Sequence, residues 1–134
     1  MYKKIIVGLS LEHGIASKAL EAASVLADKG AEIHAIHVTE PLQGSVRSYV
    51  SEEDVAKAVE ATREDLKKRV ASYPGVETKV LEGNPGRVLT EYAKKVGGDC
   101  IVVASHKPGL RDFLLGSTAA RVVRHAECTV HVLR

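Results

Sequence analysis

The stretch Cys100-Ile101-Val102-Val103-Ala104 is an unbroken apolar run, with Gly97-Gly98 before it and small or polar residues after it. A short apolar run between turn residues is typical of a strand that is buried on both faces. A second run of this kind, from Lys4 to Leu9, lies at the start of the chain. Both runs are far too short to cross a bilayer. They therefore predict buried strands of a parallel sheet.

Strand patterns and helix patterns alternate along the whole chain. The strands are expected at Lys4–Leu9, Ile33–Val38, Val76–Glu82, Cys100–Ala104 and Cys128–Leu133. The helices are expected at Ile15–Lys29, from Ser51 to just before Pro74, Pro85–Val96 and Gly116–His125, and Thr39–Tyr49 is expected to be a loop. Such alternation is typical of an α/β fold. We therefore expect a five-stranded, Rossmann-like parallel sheet with helices on both faces.

Capping residues and apolar spacing define the helices. Ser51 and Asn84 can cap two of them, because their side-chain oxygens accept the free N–H groups of a first turn. The residues expected to face the sheet are Ile15, Ala19, Ala22, Ala23 and Leu26 in the first helix, Val55, Val59, Leu66 and Val70 in the second, and Val88, Leu89, Tyr92, Ala93 and Val96 in the third.

Length and composition limit the class of protein. The 134 residues suit one domain, 1–134, and a content of 45% hydrophobic and 27% charged residues is ordinary for a folded soluble chain. This composition excludes disordered, collagen-like and mucin-like chains. The apolar start is a poor signal peptide, because polar residues return at Ser10, so we expect a cytoplasmic location. Cys100 and Cys128 are too few for a disulfide framework, so we expect reduced, packed thiols.

The charge is small overall and unevenly distributed. The formal net charge is +2, yet residues 100–134 hold five Lys or Arg against two Asp or Glu. A local basic patch suits a small anion better than a long nucleic acid. Aromatic residues make up only 4% of the chain, which argues against a stacking surface for single-stranded nucleic acid. We therefore expect neither a nucleic-acid nor a membrane partner.

The expected ligand site lies beyond the carboxyl ends of the strands, where the direction of winding reverses. The reversal falls between the first strand and either the third, in a flavodoxin-like order, or the fourth, in a Rossmann-like order. The segment Ala104–Gly109 favours the fourth, because it is small, polar and basic and leads to Gly116-Ser117-Thr118 at a helix start. Free helix N–H groups, hydroxyls and Lys107 suit a phosphate. The alternative is a simple helix cap, and Gly83–Gly86 fits an ordinary turn and cap.

Several short motifs, taken with their order and spacing, carry a family resemblance. They are Ile5-Ile6-Val7-Gly8-Leu9-Ser10, Ile36-His37-Val38, Gly83-Asn84-Pro85, Ile101-Val102-Val103-Ala104-Ser105-His106, Leu114–Ala120, Val122–Ala126 and Val130–Leu133. With these motifs the chain resembles the universal stress protein family over essentially its full length.

The resemblance implies a strand order of 3-2-1-4-5, a homodimer joined through the last strand and, in one branch of the family, ATP binding. By position, adenine would lie near Gly8, Leu9, Ser10 and the backbone of Val38. The ribose would lie near Gly83 and Ala104. The phosphates, which can carry Mg²⁺, would lie near Ser105, His106, Lys107, Gly116, Ser117 and Thr118.

The chain departs from the ATP-binding pattern of that family. The pattern is Gly-x-x-Gly, nine residues and Gly-Ser or Gly-Thr, whereas here Ala104–Lys107 replaces the first part and the spacer has eight residues. The usual Asp after the first strand is Ser10, a weaker acceptor with a shorter reach. Loss of glycine restricts backbone approach to phosphate, and Lys107 can restore charge there. A subgroup of the family with an Ala-Ser-His-basic-Pro segment still binds ATP, so ATP remains the implied ligand.

Catalytic and metal-binding patterns are scarce. The chain has no Gly-x4-Gly-Lys-Ser/Thr loop, no Gly-x-Ser-x-Gly elbow and no acidic cluster of a receiver domain. His34 and His37 are three residues apart on a strand, which places them on opposite faces, so we expect no side-chain metal site. His106 is the one candidate for proton transfer, although a plain hydrogen bond to phosphate or backbone is the favoured interpretation.

Three functions remain open at this point. The favoured one is a dimeric regulatory module of the stress response, in which ATP stabilises one shape of the dimer and of the 39–50 loop. The second is a dimeric interaction protein with a vestigial nucleotide pocket. The third is a slow ATP hydrolase that uses His106. No residue is assigned a catalytic role.

Overall fold

A five-stranded parallel sheet forms the centre of the fold. The structure, a computed structural model, describes residues 1–11, 15–105 and 115–134. The strands are β1 (Tyr2–Gly8), β2 (Ala27–Thr39), β3 (Val76–Glu82), β4 (Cys100–Ala104) and β5 (Thr129–Leu133). Their order is β3-β2-β1-β4-β5, and every pairing is parallel. The predicted fold class and strand order are confirmed.

Helices cover both faces of this sheet. They are α1 (Ile15–Leu26), α2 (Gly44–Ser48), α3 (Glu52–Val70), α4 (Pro85–Val96) and α5 (Ser117–His125). On one face, α1 and α3 pack over Ile5, Val7 and Val102. On the other face, α4 and α5 pack over Ile6 and Ile101. None of the helices in the described ranges has the length and apolar character needed to cross a membrane.

The central strands are buried on both sides. Ile6 of β1 lies beside Ile101 of β4, and neither side chain is exposed. Val7 lies beside Val102 and points to the opposite face, because successive side chains of a strand alternate. This arrangement explains why both strands are continuous apolar runs in the sequence.

The first crossover differs from the prediction. Helix α1 ends three residues earlier than expected, and β2 begins six residues earlier. Ala27 pairs with Tyr2, and the amino group of Met1 donates to the carbonyl of Leu26 at 3.1 Å. These contacts with Met1 and Tyr2 make the residues from Ala27 onward part of the sheet. A register shift absorbs the extra residues, with Gly30 at a φ of 80°.

The buried face of α1 also differs from the prediction. Ala16 and Leu20 are buried together with the expected Ala19 and Ala23, whereas the expected Ile15, Ala22 and Leu26 are only half-buried. Three alanines on the buried face let the helix lie close to the sheet, and Leu20 fills the space between them. In α3, Leu66 and Val70 are buried, but Val55 and Val59 are half-exposed.

Both predicted caps are present. The hydroxyl of Ser51 accepts the N–H of Asp54 at 3.1 Å, and the side-chain oxygen of Asn84 accepts the N–H of Arg87 at 3.1 Å. The segment predicted as a loop before α3 contains the short helix α2, whose residues are all exposed. The two caps fix where α3 and α4 begin.

Candidate functional site

A cavity of about 560 Å³ lies at the carboxyl edge of the sheet, where β1 and β4 separate. This is the position at which the winding direction reverses in the confirmed strand order. Its walls come from the ends of β1, β2 and β4 and from the first turns of α1, α4 and α5. The lining residues are Gly8, Leu9, Ser10, Ile15, Ile36, His37, Val38, Glu40, Pro85, Leu89, Val103, Ala104, Ser105, Gly116, Ser117, Thr118 and Ala119.

Most of the residues selected from the sequence come together here. Those that line the cavity are Gly8, Leu9, Ser10, Val38, Ala104, Ser105, Gly116, Ser117 and Thr118. His106 and Lys107 lie outside the described residues, and with them the proposed proton transfer at His106 and the charge of Lys107.

Gly83 does not line the cavity. It follows β3, which is separated from β1 by β2, and its N–H donates to the carbonyl of Thr39 at 2.9 Å. Its φ of 141° explains why glycine occupies this turn. Gly83 therefore shapes the turn after β3, and the ribose contact expected there stays a prediction.

The floor of the cavity is apolar, and most of it was not predicted from the sequence. Ile36, Leu89 and Val103 form this floor together with Gly8. A Cβ atom at residue 8 would lie 2.7 Å from Cδ1 of Leu89, so only glycine leaves this space open. The apolar pattern identified these side chains as core, and the sheet order places them at the edge where core and cavity meet.

One end of the cavity is rich in hydrogen-bond donors. Gly116 is the N-cap of α5 and has no side chain to cap the helix. Its own N–H donates to the carbonyl of Ser105, so this amide is not available to a ligand. The N–H groups of Ser117, Thr118 and Ala119 follow in the first turn, where a helix supplies no internal partner. These amides and the helix dipole suit an anionic group.

The end of β2 contributes two polar residues, His37 and Glu40, to the cavity wall. Nδ1 of His37 donates to the carbonyl of Leu9 at 2.8 Å, which fixes the orientation of the ring. Glu40, directly after β2, also lines the cavity. Neither residue was selected from the sequence, because a polar residue at a strand end carries no periodic signal.

The other candidate groups lie away from the cavity. His34 contacts Tyr92 of α4, so His34 and His37 point to opposite faces of β2, as their spacing predicts. Across residues 1–11, 15–105 and 115–134, no group of three or more His, Cys, Asp or Glu is placed to hold a metal ion. Cys100 and Cys128 are both free thiols that pack in different cores, and burial raises the pKa of Cys100 to about 11. A thiol with so high a pKa is a poor nucleophile.

Solved structures that are similar to this chain share its fold. One, described as a structure-based assignment of the biochemical function of hypothetical protein MJ0577, is 27% identical, with 99% of this chain and 96% of that chain covered and a TM-score of 0.78. A universal stress protein family protein from Arabidopsis thaliana, solved with AMP bound, is 22% identical over 98% and 90%, with a TM-score of 0.61. A universal stress protein in complex with cAMP is 20% identical over 99% and 97%, with a TM-score of 0.70.

Comparison with known sequences also matches the full length of this chain. Universal stress protein G of Salmonella typhimurium is 31% identical over 143 residues, which include all of this chain and all of that protein. The model of the universal stress protein family matches residues 1–134. The chain therefore belongs to the universal stress protein family.

Proposed function

We propose that this protein binds an adenine nucleotide, ATP in the first place, in the cavity between β1 and β4. The observation that carries the proposal is the first turn of α5, whose amides open into a cavity with an apolar floor. Such a combination of one anion-binding end and one apolar surface suits a phosphorylated nucleoside. The AMP and cAMP complexes of proteins with the same fold support an adenine nucleotide.

The phosphates are assigned to the donor-rich end. There they accept hydrogen bonds from the amides of Ser117 and Thr118 and from their hydroxyl groups, while the base and ribose cover Leu89 and Val103. Any Mg²⁺ is carried by the phosphates themselves, since the described part of the chain provides no cluster of metal ligands beside them. Ser105 and Lys107 belong to the proposed site through the family pattern, within the subgroup that has Ala-Ser-His-basic-Pro.

The regulatory role is the second part of the proposal. We infer that one domain, residues 1–134, acts in the stress response as a homodimer that pairs through β5. This strand is at the edge of the sheet and offers unpaired backbone groups to a second copy. Occupancy by ATP would then stabilise one shape of the dimer and of the segment after β2. A cytoplasmic location stays a prediction.

One observation favours the alternative of a vestigial pocket. The N–H of Gly116, one of the residues expected near the phosphates, already donates to the carbonyl of Ser105. If the remaining amides of the first turn of α5 are too few to bind a phosphate, the protein is a dimer that does not bind nucleotides.

Binding and assembly can be measured on the same preparation. Mass spectrometry of the denatured, purified protein identifies any nucleotide that copurifies, and calorimetric titration with ATP and Mg²⁺ gives its affinity. Light scattering with and without ATP reports the oligomeric state. We expect a dimer that binds ATP; a dimer that shows no heat of binding and no thermal shift at millimolar ATP would establish the vestigial pocket instead.

A further inference from the structure

Two cavity-lining residues, His37 and Glu40, have no role in the proposed binding of phosphate. They lie at the end of β2, which is separated by β1 from β4, the strand that precedes α5. A ligand held by its phosphates at α5 would place its other end near them. The role of these two residues rests on the proposed nucleotide site and concerns which base that site accepts.

The ring of His37 is a positioned acceptor. The carbonyl of Leu9 can only accept a hydrogen bond, so Nδ1 of His37 carries the hydrogen in the 2.8 Å contact. In a neutral imidazole the other nitrogen, Nε2, is then an acceptor. The ring is half-buried in the cavity wall, and its contact with Leu9 holds this nitrogen in place.

The carboxylate of Glu40 is a second acceptor. It accepts hydrogen bonds and donates none when ionised. Among the described residues, Glu40 has no hydrogen bond and no ion pair, although most acidic side chains of α3 and α4 are paired with a neighbouring Lys or Arg. Glu40 is an exposed residue that lines the cavity, so a donor on a ligand can replace the water that solvates its carboxylate.

We propose that His37 and Glu40 make the site specific for a base with an exocyclic amino group, and that they reject the keto group at the same position. Adenine carries an amino group that donates two hydrogens. Hypoxanthine has nearly the same shape but carries a keto oxygen, which would face two acceptors without a hydrogen between them. His37 and Glu40 therefore distinguish ATP from ITP, whereas the amides of α5 bind the triphosphate of both nucleotides equally well.

Calorimetric titration with ATP and with ITP tests this inference, and the ratio of the two dissociation constants is the readout. Since a net hydrogen bond contributes about one factor of ten in affinity, we expect ATP to bind about tenfold more tightly than ITP. Glu40→Gln should bring the ratio close to one, because an amide can donate to the keto group as well as accept from the amino group. His37→Phe should also lower it, since the ring remains but the acceptor is lost.

Glu82→Gln is the matched control. Glu82 is the last residue of β3, where it is paired with Thr39 of β2, and it does not line the cavity. Its substitution by Gln therefore removes the same charge as Glu40→Gln but at a position outside the cavity. It should keep the wild-type ratio. Equal binding of ATP and ITP by the wild-type protein would overturn this inference and leave the nucleotide site intact, whereas binding of neither would overturn both. An equal fall of the ratio in Glu40→Gln and Glu82→Gln would assign the effect to net charge and overturn the role of Glu40.

Discussion

The backbone N–H of Gly116 donates a hydrogen bond to the carbonyl of Ser105, and this contact joins the start of α5 to the end of β4. Ser105 is held on its other side as well, because its own N–H donates to the carbonyl of Leu133 at 2.7 Å. The position of the α5 N-terminus relative to the sheet is thereby fixed before a ligand arrives. The donors left for an anion are the amides of the next three residues, Ser117 to Ala119. The first amide that can contact a phosphate is therefore that of Ser117 and not that of Gly116.

Ser117→Pro removes one of these amides without removing the helix. Proline is favoured at the first position of a helix, and the extended conformation of Gly116, with φ −62° and ψ 159°, is one that a residue before proline adopts. We expect ATP to bind about tenfold more weakly, because one donor to the phosphates is lost. Calorimetric titration measures the change.

Ser117→Ala is the control for this substitution. It removes the hydroxyl group and keeps the amide, so its affinity should lie within about threefold of wild type. Melting temperatures without ATP should show that both variants are folded. If Ser117→Pro and Ser117→Ala bind ATP equally well, the amide does not contact the phosphates.

Gly8 and Leu89 are expected to be energetically coupled. Because a Cβ at residue 8 would lie 2.7 Å from Leu89, Gly8→Ala should cost about 1–3 kcal/mol of unfolding free energy through overpacking. Leu89→Ala alone should cost about 2–5 kcal/mol, since Leu89 is buried. In the double variant the added methyl group enters the space that Leu89 leaves, so the total loss should be smaller than the sum by about 1 kcal/mol. Denaturant unfolding of the four proteins gives the coupling, and strictly additive losses would contradict it.

The sequence predicted those elements whose signals are local. Val76–Glu82 and Cys100–Ala104 were expected with the bounds that the structure shows, because each is an apolar or alternating run between turn residues. The caps Ser51 and Asn84 were recognisable for the same reason.

Elements that depend on distant parts of the chain were not predictable in this way. The early start of β2 requires Tyr2 as a pairing partner, and that partner is 25 residues away from Ala27 in the chain. Gly83 was expected near the ribose through the family resemblance; it does not line the cavity, whereas Pro85, two residues further along the chain, does. His37 was part of a family motif but was not selected as a site residue, and Glu40 was part of no motif; both came to attention only because they line the cavity.

Asp99 should make stability depend on pH. Its carboxylate accepts the N–H groups of Lys3 and Lys4 at 2.9 and 3.0 Å. Burial raises the pKa of Asp99, but these hydrogen bonds favour the ionised form and together hold the pKa below its ordinary value of 3.8. A folded-state pKa below the unfolded value means that the stabilisation is present above about pH 4 and is lost as the pH falls through the folded-state pKa.

Asp99→Asn tests this dependence. Only one oxygen of the amide can accept, so we expect a loss of about 1 kcal/mol of unfolding free energy at pH 7. The loss should be smaller at pH 3, because pH 3 lies below the ordinary pKa of 3.8 that applies to the unfolded chain, and part of the stabilisation is then already gone. Urea unfolding at the two pH values measures both. Glu21→Gln, an exposed position on α1, should show no such difference. A deficit of Asp99→Asn that is the same at pH 7 and pH 3 would contradict the assignment.

Tyr92→Phe should destabilise the fold through His34. The hydroxyl of Tyr92 lies 2.7 Å from Nδ1 of His34, which is buried, while Nε2 of the same ring lies 3.1 Å from Glu32. In the neutral tautomer whose Nε2–H donates to Glu32, Nδ1 accepts the hydrogen of the Tyr92 hydroxyl. Burial, with the nearby acidic groups, raises the pKa of Tyr92, which favours the protonated hydroxyl. Loss of the hydroxyl leaves a buried acceptor without a donor, and we expect a cost of about 1–2 kcal/mol of unfolding free energy, measured by urea unfolding.

Tyr49→Phe is the control, because the side chain of Tyr49 is 87% exposed. Its unfolding free energy should stay within about 0.5 kcal/mol of wild type. Equal effects of the two substitutions would show that the contact of Tyr92 with His34 contributes nothing to stability.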